Sequence, residues 1–349
     1  MFQLETSPGR TTMANGKECL FFSGYSYLGM SHVPEFVELV KEGIDKYGLL
    51  HPSSRISNTR LDIYDEFEQQ LCQLTASEET VSFSSGYLSG RALVDTVTQN
   101  NKNCFCTPDA HPAIKCNANP LPDEWKIYFI EKVNQSTQNN FVLLVDSVNP
   151  LKASVTNFSF LHALHPDKNV TCIIDDSHGF GLAGTEVKGI QQSLPAFHNV
   201  EFMLSYSLSK AFHINGGAVS CRTEIADELR KSPFYTGSTA IAPAFIYAFL
   251  NGQHLYHMQQ KKLQDNISAF ISMIKDVPGI VYHPELPVFI LPPGNKAQTF
   301  ARYNIIISSF AYATSGDNVI NRIVLNALHT QDDLRRIAGM LRTYAPDLN

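Results

Sequence analysis

The chain has 349 residues, 44% of them hydrophobic, with 27 basic against 33 acidic side chains and a formal net charge of −6. This is the composition of a globular protein with room for a large core, not of a disordered one, and with no basic block it gives no sign of a nucleic-acid surface. No apolar run approaches the ~20 residues of a membrane span, and residues 1–6 have neither the cationic start nor the apolar centre of a secretory signal.

The seven cysteines are odd in number, scattered and without a CxxC spacing. That is the usage of a reduced, cytoplasmic protein. Cys104, Cys106, His111 and Cys116 lack metal-site spacing, so no metal is expected.

In chain order, residues 1–15 are polar and read as a short arm. Residues 20–29 (LFFSGYSYLG) read as a strand running into a turn. Pro34 opens a helix in which Phe36, Val37, Val40, Ile44 and Tyr47 share helical spacing, and Gly48 ends it. Residues 62–76 are predicted as an amphipathic helix with Phe67, Leu71 and Leu74 on one face. Residues 81–90 read as a strand, a small-residue turn at Gly86-Tyr87, and a helix carrying Ala92, Leu93 and Val97. A glycine at such a turn suits an ordinary tight connection equally with a helix terminus whose N–H groups meet a phosphate. His111 follows in a loop, where a lone histidine is more often structural. Residues 141–145 form another apolar strand, ending in Asp146 and leading to Pro150.

Two strand ends carry the chemistry. Residues 171–174 are a β-branched apolar run that stops abruptly at Asp175-Asp176-Ser177-His178-Gly179. Adjacent carboxylates repel each other, so neither is an obvious structural choice. One of them facing a pyridinium nitrogen would keep that ring protonated, which is the electron sink pyridoxal phosphate needs. The second run, residues 201–204, leads into Ser205-Tyr206-Ser207-Leu208-Ser209-Lys210. A lysine at a strand's carboxyl edge stands where open α/β sheets bind ligands, and it can form a Schiff base if its surroundings take its proton. The serines beside it can hold a phosphate. The 35 positions between Asp175 and Lys210 exceed the dozen a parallel crossover needs. Both strand ends can therefore face one pocket.

Gly179, Gly181 and Gly184 satisfy the G-x-G-x-x-G spacing of dinucleotide folds, but the reading fails. Residues 175–178 separate strand from glycine, Gly189 breaks the helix that should follow, and no mononucleotide half precedes. Further on, Ser238 and Thr239 fit a helix N-cap ahead of Pro243. Residues 244–274 read as one long helix linking two domains. Strands follow near residues 280–282, 288–291 and 305–308 and from Arg322, which alone would pass for a solvated edge residue. Thr330 with Asp332 and Asp333 caps a last helix.

The paired motifs DDSHG (175–179) and SLSKA (207–211), in this order and spacing, resemble the α-oxoamine synthases. These are fold-type I pyridoxal phosphate enzymes that condense an amino acid with an acyl-CoA and release CO2. The resemblance runs from about Gly16 to the C-terminus. It implies an α/β fold: a large domain (34–243) with a mainly parallel seven-stranded sheet, a linking helix and small α+β domain (244–349), and an N-terminal segment (1–33). It implies pyridoxal phosphate on Lys210, ring-nitrogen contact by Asp175, ring stacking by His111, and His178 on the ring oxygen or the acyl carbonyl. Gly86, Tyr87 and Ser207 then face the phosphate. Ser238 and Thr239 reach the phosphate of the neighbouring subunit's cofactor, which implies a homodimer. Arg322 grips the amino-acid carboxylate, and Tyr25 stands at a substrate-facing position where the family has Asn. Pro150 and Lys152 stand where the family has a cofactor-contacting Ser and an acid, so that contact is expected to be lost or replaced. The implied activity is 8-amino-7-oxononanoate synthesis. Glycine C-acetyl transfer is the alternative within the family, and a cofactor-binding protein without acyl transfer is the alternative outside it.

Overall fold

The computed structural model describes residues 2–99, 103–182, 184, 186–294, 296–311 and 319–343. The chain opens with β1 (Thr11–Ala14) and β2 (Lys17–Phe22), then α1 (Pro34–Tyr47) and α2 (Ile63–Thr75). Next come β3 (Glu79–Phe83), α3 (Gly86–Thr98), β4 (Cys104–Cys106), β5 (Asn119–Pro120), α4 (Trp125–Gln135) and β6 (Asn140–Asp146). A hairpin of β7 (Val148–Asn149) and β8 (Ser154–Val155) precedes β9 (Asn169–Asp175), β10 (Val200–Ser207) and β11 (Gly217–Cys221). Helices α5 (Thr223–Lys231), α6 (Pro233–Thr236), α7 (Pro243–Asn251) and α8 (Gln253–Ile274) lead into β12 (Val281–Tyr282) and β13 (Val288–Leu291). The last elements are α9 (Lys296–Ala301), β14 (Ile305–Phe310), β15 (Ile320–Val324) and α10 (Gln331–Thr343).

Seven strands form the large sheet in the order β3-β11-β10-β9-β6-β4-β5. The pairs from β10 to β5 are parallel, and β11 runs against both its neighbours. The expected mainly parallel seven-stranded sheet is therefore present. Its central strands are apolar without a break because both faces are covered. Alternation still decides which face each side chain serves. Leu143, Val145, Cys172 and Ile174 join one core, while Val142, Leu144 and Ile173 join the other.

A second sheet, β1-β2-β14-β15-β13-β12, joins the two ends of the chain. Here the N-terminal segment differs from the expected arm. Thr11 to Ala14 pair antiparallel with β2, and β2 pairs parallel with β14. Thr12 and Ala14 are buried on that sheet, which a reading of overall polarity misses. The long linking helix also divides, into α7 and α8 at Gly252, whose backbone leaves the helical region. The N-cap expected of Ser238 or Thr239 falls to Ala242, because Pro243 fixes the first helical position. Thr330 does cap α10, exchanging hydrogen bonds with Asp333.

One buried ion pair anchors the loop that follows α1. Glu68 Oε1 on α2 accepts from Arg55 Nη1 at 2.8 Å and from the N–H and hydroxyl of Ser82 on β3 at 2.8 and 2.7 Å. The two charged side chains are only 5% and 9% exposed. Removing one partner strands the other charge in the interior. Glu68→Ala is expected to cost about 3–5 kcal/mol of stability by urea unfolding. A loss below about 1 kcal/mol, the size of a surface pair, would show that the site relaxes or hydrates.

Candidate active site

Three strands deliver polar residues to the carboxyl edge of the large sheet. Asp146 at the end of β6 stands directly opposite Asp175 at the end of β9, and Asp175 stands opposite Ser205 on β10. The turn after β10 then supplies Lys210. The cavity at this edge is lined by His111, Asp146, Pro150, Asp175, His178 and Lys210, among others. Sequence reasoning brought four of these six together, gave Asp146 no role, and expected Pro150 to have lost or replaced the family's cofactor contact.

The two adjacent carboxylates have opposite orientations. Asp176 is fully buried and turns back into the protein. Its Oδ1 accepts from Ser147 Oγ at 2.5 Å and its Oδ2 from the Ile190 N–H at 3.0 Å. Gly179 and Gly189 make room for it, since a Cβ on either would lie 2.1 Å from a carboxylate oxygen. Burial pushes the Asp176 carboxyl up to about 7 against the Ser147 and Ile190 hydrogen bonds. Asp175 is 5% exposed and faces the cavity. Its Oδ1 accepts from the Ser177 N–H at 2.9 Å. Its Oδ2 lies 3.7 Å from His111 Nδ1 and takes no hydrogen bond among the described residues.

Lys210 is partly buried, and among the described residues no carboxylate lies within 4.0 Å of its Nζ. Burial lowers its pKa, opposed by the charges of Asp175, Asp146 and Asp176 in that order. Burial, then the Asp175 charge, raises Asp146 well above the carboxylate range. Asp146 Oδ1 accepts from the His111 N–H at 3.1 Å and so fixes the loop that carries the imidazole. His111 Nδ1 accepts from the Ala113 N–H at 3.2 Å, and burial lowers the ring's pKa in spite of Asp175. A neutral ring, 38% exposed, is what stacking on a second ring requires.

The candidates expected at the phosphate lie on α3 and the turn after β10. Ser85 caps α3, accepting from the Leu88 N–H, so Gly86 and Tyr87 form its first turn. Gly86 packs so closely on β10 that a Cβ would lie 2.6 Å from Ser207 Cβ, and Gly217 packs on Gly86 in turn. Ser207 and Ser209 hydroxyls bond each other at 2.8 Å beside this terminus. Ser205 does not join them, because its hydroxyl pairs with Ser89 inside the protein. Tyr87 is half exposed at the same end.

The remaining candidates reach the edge from the second sheet or do not reach it. Arg322 on β15 is 9% exposed and donates from Nη1 to the Pro150 carbonyl at 3.1 Å. Tyr25 is 52% exposed and lies off the cavity, whereas Tyr27 is 2% exposed and its hydroxyl meets His178 Nδ1 at 2.8 Å. The sequence reading named Tyr25 and missed Tyr27. The available signal was the Tyr-Leu-Gly continuation of the same motif. Ser238 donates to the Phe234 carbonyl at 2.5 Å, Thr239 is exposed, and neither lines the cavity. Among the described residues no group of three or more His, Cys, Asp or Glu side chains could hold a metal, and no helix is long and apolar enough to cross a membrane.

A buried carboxylate oxygen aimed at a neutral imidazole, beside a desolvated lysine and a helix terminus, fits a protonated aromatic ring with a phosphate tail. The observed architecture is that of fold-type I pyridoxal phosphate transferases. The chain belongs to the aminotransferase class I and II family, whose model matches residues 121–341. Within it the chain stands with the α-oxoamine synthases. An 8-amino-7-oxononanoate synthase of Buchnera aphidicola subsp. Baizongia pistaciae is 25% identical over 96% of this chain and 91% of that protein. A serine palmitoyltransferase of Bacteroides ovatus is 21% identical over 97% and 91%. The solved serine palmitoyltransferase from S. paucimobilis superposes with a TM-score of 0.86 at 16% identity, covering 100% of this chain and 93% of that one. The 8-amino-7-oxononanoate synthase from Francisella tularensis gives 0.75 at 20%, covering 94% and 98%.

The burial of Asp176 makes stability depend on pH. The folded protein holds the Asp176 proton more tightly than the unfolded chain does, where the carboxyl titrates near 3.8. Its contribution to stability is present in full below that value and is lost as pH rises through about 7. An amide cannot ionise, so Asp176→Asn should lose less stability than the wild type between about pH 5 and about pH 8. Urea midpoints at the two pH values measure this. Parallel losses in the two proteins would place the buried charge elsewhere.

Proposed function

We propose that the protein is a decarboxylating acyltransferase that joins an amino acid to an acyl-CoA at the Lys210 site. The observation that carries this is the meeting of two sheets at one edge. Lys210 and Asp175 come from the large sheet, and Arg322 reaches the same cavity wall from the other. Pyridoxal phosphate would be held by Lys210 covalently, by Asp175 at its ring nitrogen and by His111 on its face. The first turn of α3 at Gly86 and Tyr87, with Ser207 and Ser209, would take its phosphate. When bound, the cofactor supplies a sink for the electron pair left by an α-proton.

The rest falls to this chain's own groups. Arg322 exchanges the Pro150 carbonyl for the substrate carboxylate, a better acceptor for a guanidinium. Lys210, its pKa lowered by burial, takes the α-proton at Nζ. His178 donates a hydrogen bond toward the carbonyl being attacked. The acyl carbon gains a bond to the α-carbon and loses its thiolate, which takes a proton from water; the carboxylate then leaves as CO2, and Lys210 returns its proton to the α-carbon. The products are an amino ketone, free CoA and CO2.

The finer reading is alanine with a pimeloyl thioester, giving 8-amino-7-oxononanoate. It is supported by the oxononanoate synthases among the relatives, alongside which the serine palmitoyltransferases stand at similar identity. The direct test mixes protein and cofactor with alanine, glycine or serine and with acetyl-, pimeloyl- or palmitoyl-CoA. Thiol should appear only when an amino acid and an acyl-CoA are both present, fastest with alanine and pimeloyl-CoA. Borohydride should fix the cofactor's mass to Lys210, and Lys210→Ala should show neither effect. Cofactor attachment without thiol release in any combination would reject acyl transfer and leave a cofactor-binding protein. That outcome is the one Arg322's bond to Pro150 favours.

We also propose a homodimer with shared sites. The loop carrying the exposed Leu49, Leu50 and Ile56 touches the Ser238 segment, since Ser54 donates to the Thr236 carbonyl at 3.2 Å. The position of Ser238 and Thr239 away from their own chain's cavity supports a role in the partner's. Lys210→Ala and the double variant Ser238→Ala/Thr239→Ala each damage both sites of their own dimer. In a mixed dimer both lesions fall in one site, so mixing should restore activity to about half of wild type per heterodimer. Proven subunit exchange without recovery would return those hydroxyls to their own chain.

A further inference from the structure

We propose that Tyr27 is a positioning residue that fixes the tautomer of His178, holding its proton on Nε2 and so making the ring a hydrogen-bond donor toward the Lys210 cavity. The inference rests on reading that cavity as the reaction site.

Tyr27 belongs to neither large-sheet strand and is held from the other sheet. Its carbonyl accepts from the Ala327 N–H at 2.9 Å, and its N–H donates to the Tyr25 carbonyl at 2.9 Å. Two residues on, Gly29 turns the chain with φ of 65°, and a Cβ there would lie 2.5 Å from Leu328 Cγ. The backbone is thus clamped against the connection after β15. The phenol enters the protein from that clamp and ends on His178 Nδ1 at 2.8 Å.

Which atom donates follows from counting partners. His178 Nδ1 is the only partner of the Tyr27 hydroxyl among the described residues. If the ring donated from Nδ1, the phenolic hydrogen of a side chain 2% exposed would have no acceptor. If the phenol donates, every hydrogen at this contact is used. The remaining ring nitrogen, Nε2, makes no hydrogen bond among the described residues and is left for whatever occupies the cavity. A charged ring, which would donate from both nitrogens, is disfavoured first by burial and then by the Lys210 and Arg322 charges around it. Burial likewise keeps the phenol protonated.

The tautomer decides the chemistry. With its proton on Nε2, His178 can stabilise negative charge on an oxygen in the cavity. With its proton on Nδ1, it would present a lone pair there and act as a base, competing with Lys210. Tyr27 touches no substrate and acts through His178 alone.

The test is nitrogen NMR of the cofactor-loaded protein carrying 15N-histidine, with His178→Gln to assign the signals. At neutral pH His178 Nδ1 should resonate as an unprotonated acceptor and Nε2 as a protonated donor. In Tyr27→Phe the two resonances should move toward each other as the tautomers mix. If thiol release is established, kcat for that variant should fall roughly fivefold, the size of one neutral hydrogen bond, with KM for the amino acid unchanged. A wild-type spectrum with the proton on Nδ1 overturns the inference without recourse to a variant. So do unchanged resonances in a folded Tyr27→Phe protein. The spectrum needs no acyl-CoA, so failure of the acyl-transfer reading and failure of this one are separate results.

Discussion

Charge held out of water at the carboxyl edge of one sheet is the constraint on which the rest of the molecule depends. Asp146 and Asp175 stand opposite each other in register, with Asp176 adjoining and Lys210 as the cation of the turn. Burying such groups is unfavourable unless each is satisfied. The structure treats them differently. Asp176 is fully satisfied by a hydroxyl and a backbone N–H and becomes a brace between the β6 and β9 ends. Asp175 keeps one oxygen unbonded among the described residues, and Lys210 has no carboxylate within 4.0 Å among them. An edge left unsatisfied in that pattern is stable only because the strands behind it are apolar on both faces. Its groups are available to an incoming ring and phosphate for the same reason.

Much of this was legible in the sequence because a strand buried on both faces announces itself twice, by an unbroken apolar run and by the abruptness of its end. The runs ending at Asp146, Asp175 and Ser207 all became strands of the large sheet in adjoining positions. The tight turn at Gly86 was legible, and the close approach of Ser207 explains why only glycine serves there. Less legible were features with no period. β11 is five residues of glycine and small side chains beginning at the second glycine of a pair, and β1 is four residues inside a polar stretch. Tyr25 and Tyr27 sit on irregular backbone, where alternation does not assign sides, so the sequence did not tell which of them meets His178. Ser205 and Ser207 share a strand face and both meet α3. Only the depth along the strand tells the structural hydroxyl from the one at the helix terminus.

Pro150 and Lys152 are departures from the family pattern that compensate each other. Asn149 Oδ1 accepts from the N–H groups of Leu151 and Lys152, closing the β7–β8 turn around a residue that has no N–H of its own. The Pro150 carbonyl then faces Arg322 and accepts its hydrogen bond. Lys152, standing where an acid was expected, pairs with Asp109 on the loop that carries His111. Where the family pattern has a side chain, this chain presents a backbone carbonyl to Arg322. The exposed pair adds little stability by itself, yet it ties the hairpin to the loop over the ring.

The second sheet gains meaning from this exchange. β2 and β15 are both bonded to β14, so the segment leading to Tyr27 and the strand bearing Arg322 belong to one sheet. Their side chains cross to the large sheet's edge at several points, among them Tyr27 on His178 and Arg322 on Pro150. Both contacts are polar and directional, so they depend on position more steeply than apolar packing does. A shift of the second sheet large enough to part Arg322 from Pro150 also acts on the Tyr27 hydroxyl at His178. Placing the N-terminal strands in the C-terminal sheet therefore links the Arg322 contact on Pro150 to the Tyr27 contact on His178. Strands attached instead to the large sheet would leave those two groups independent.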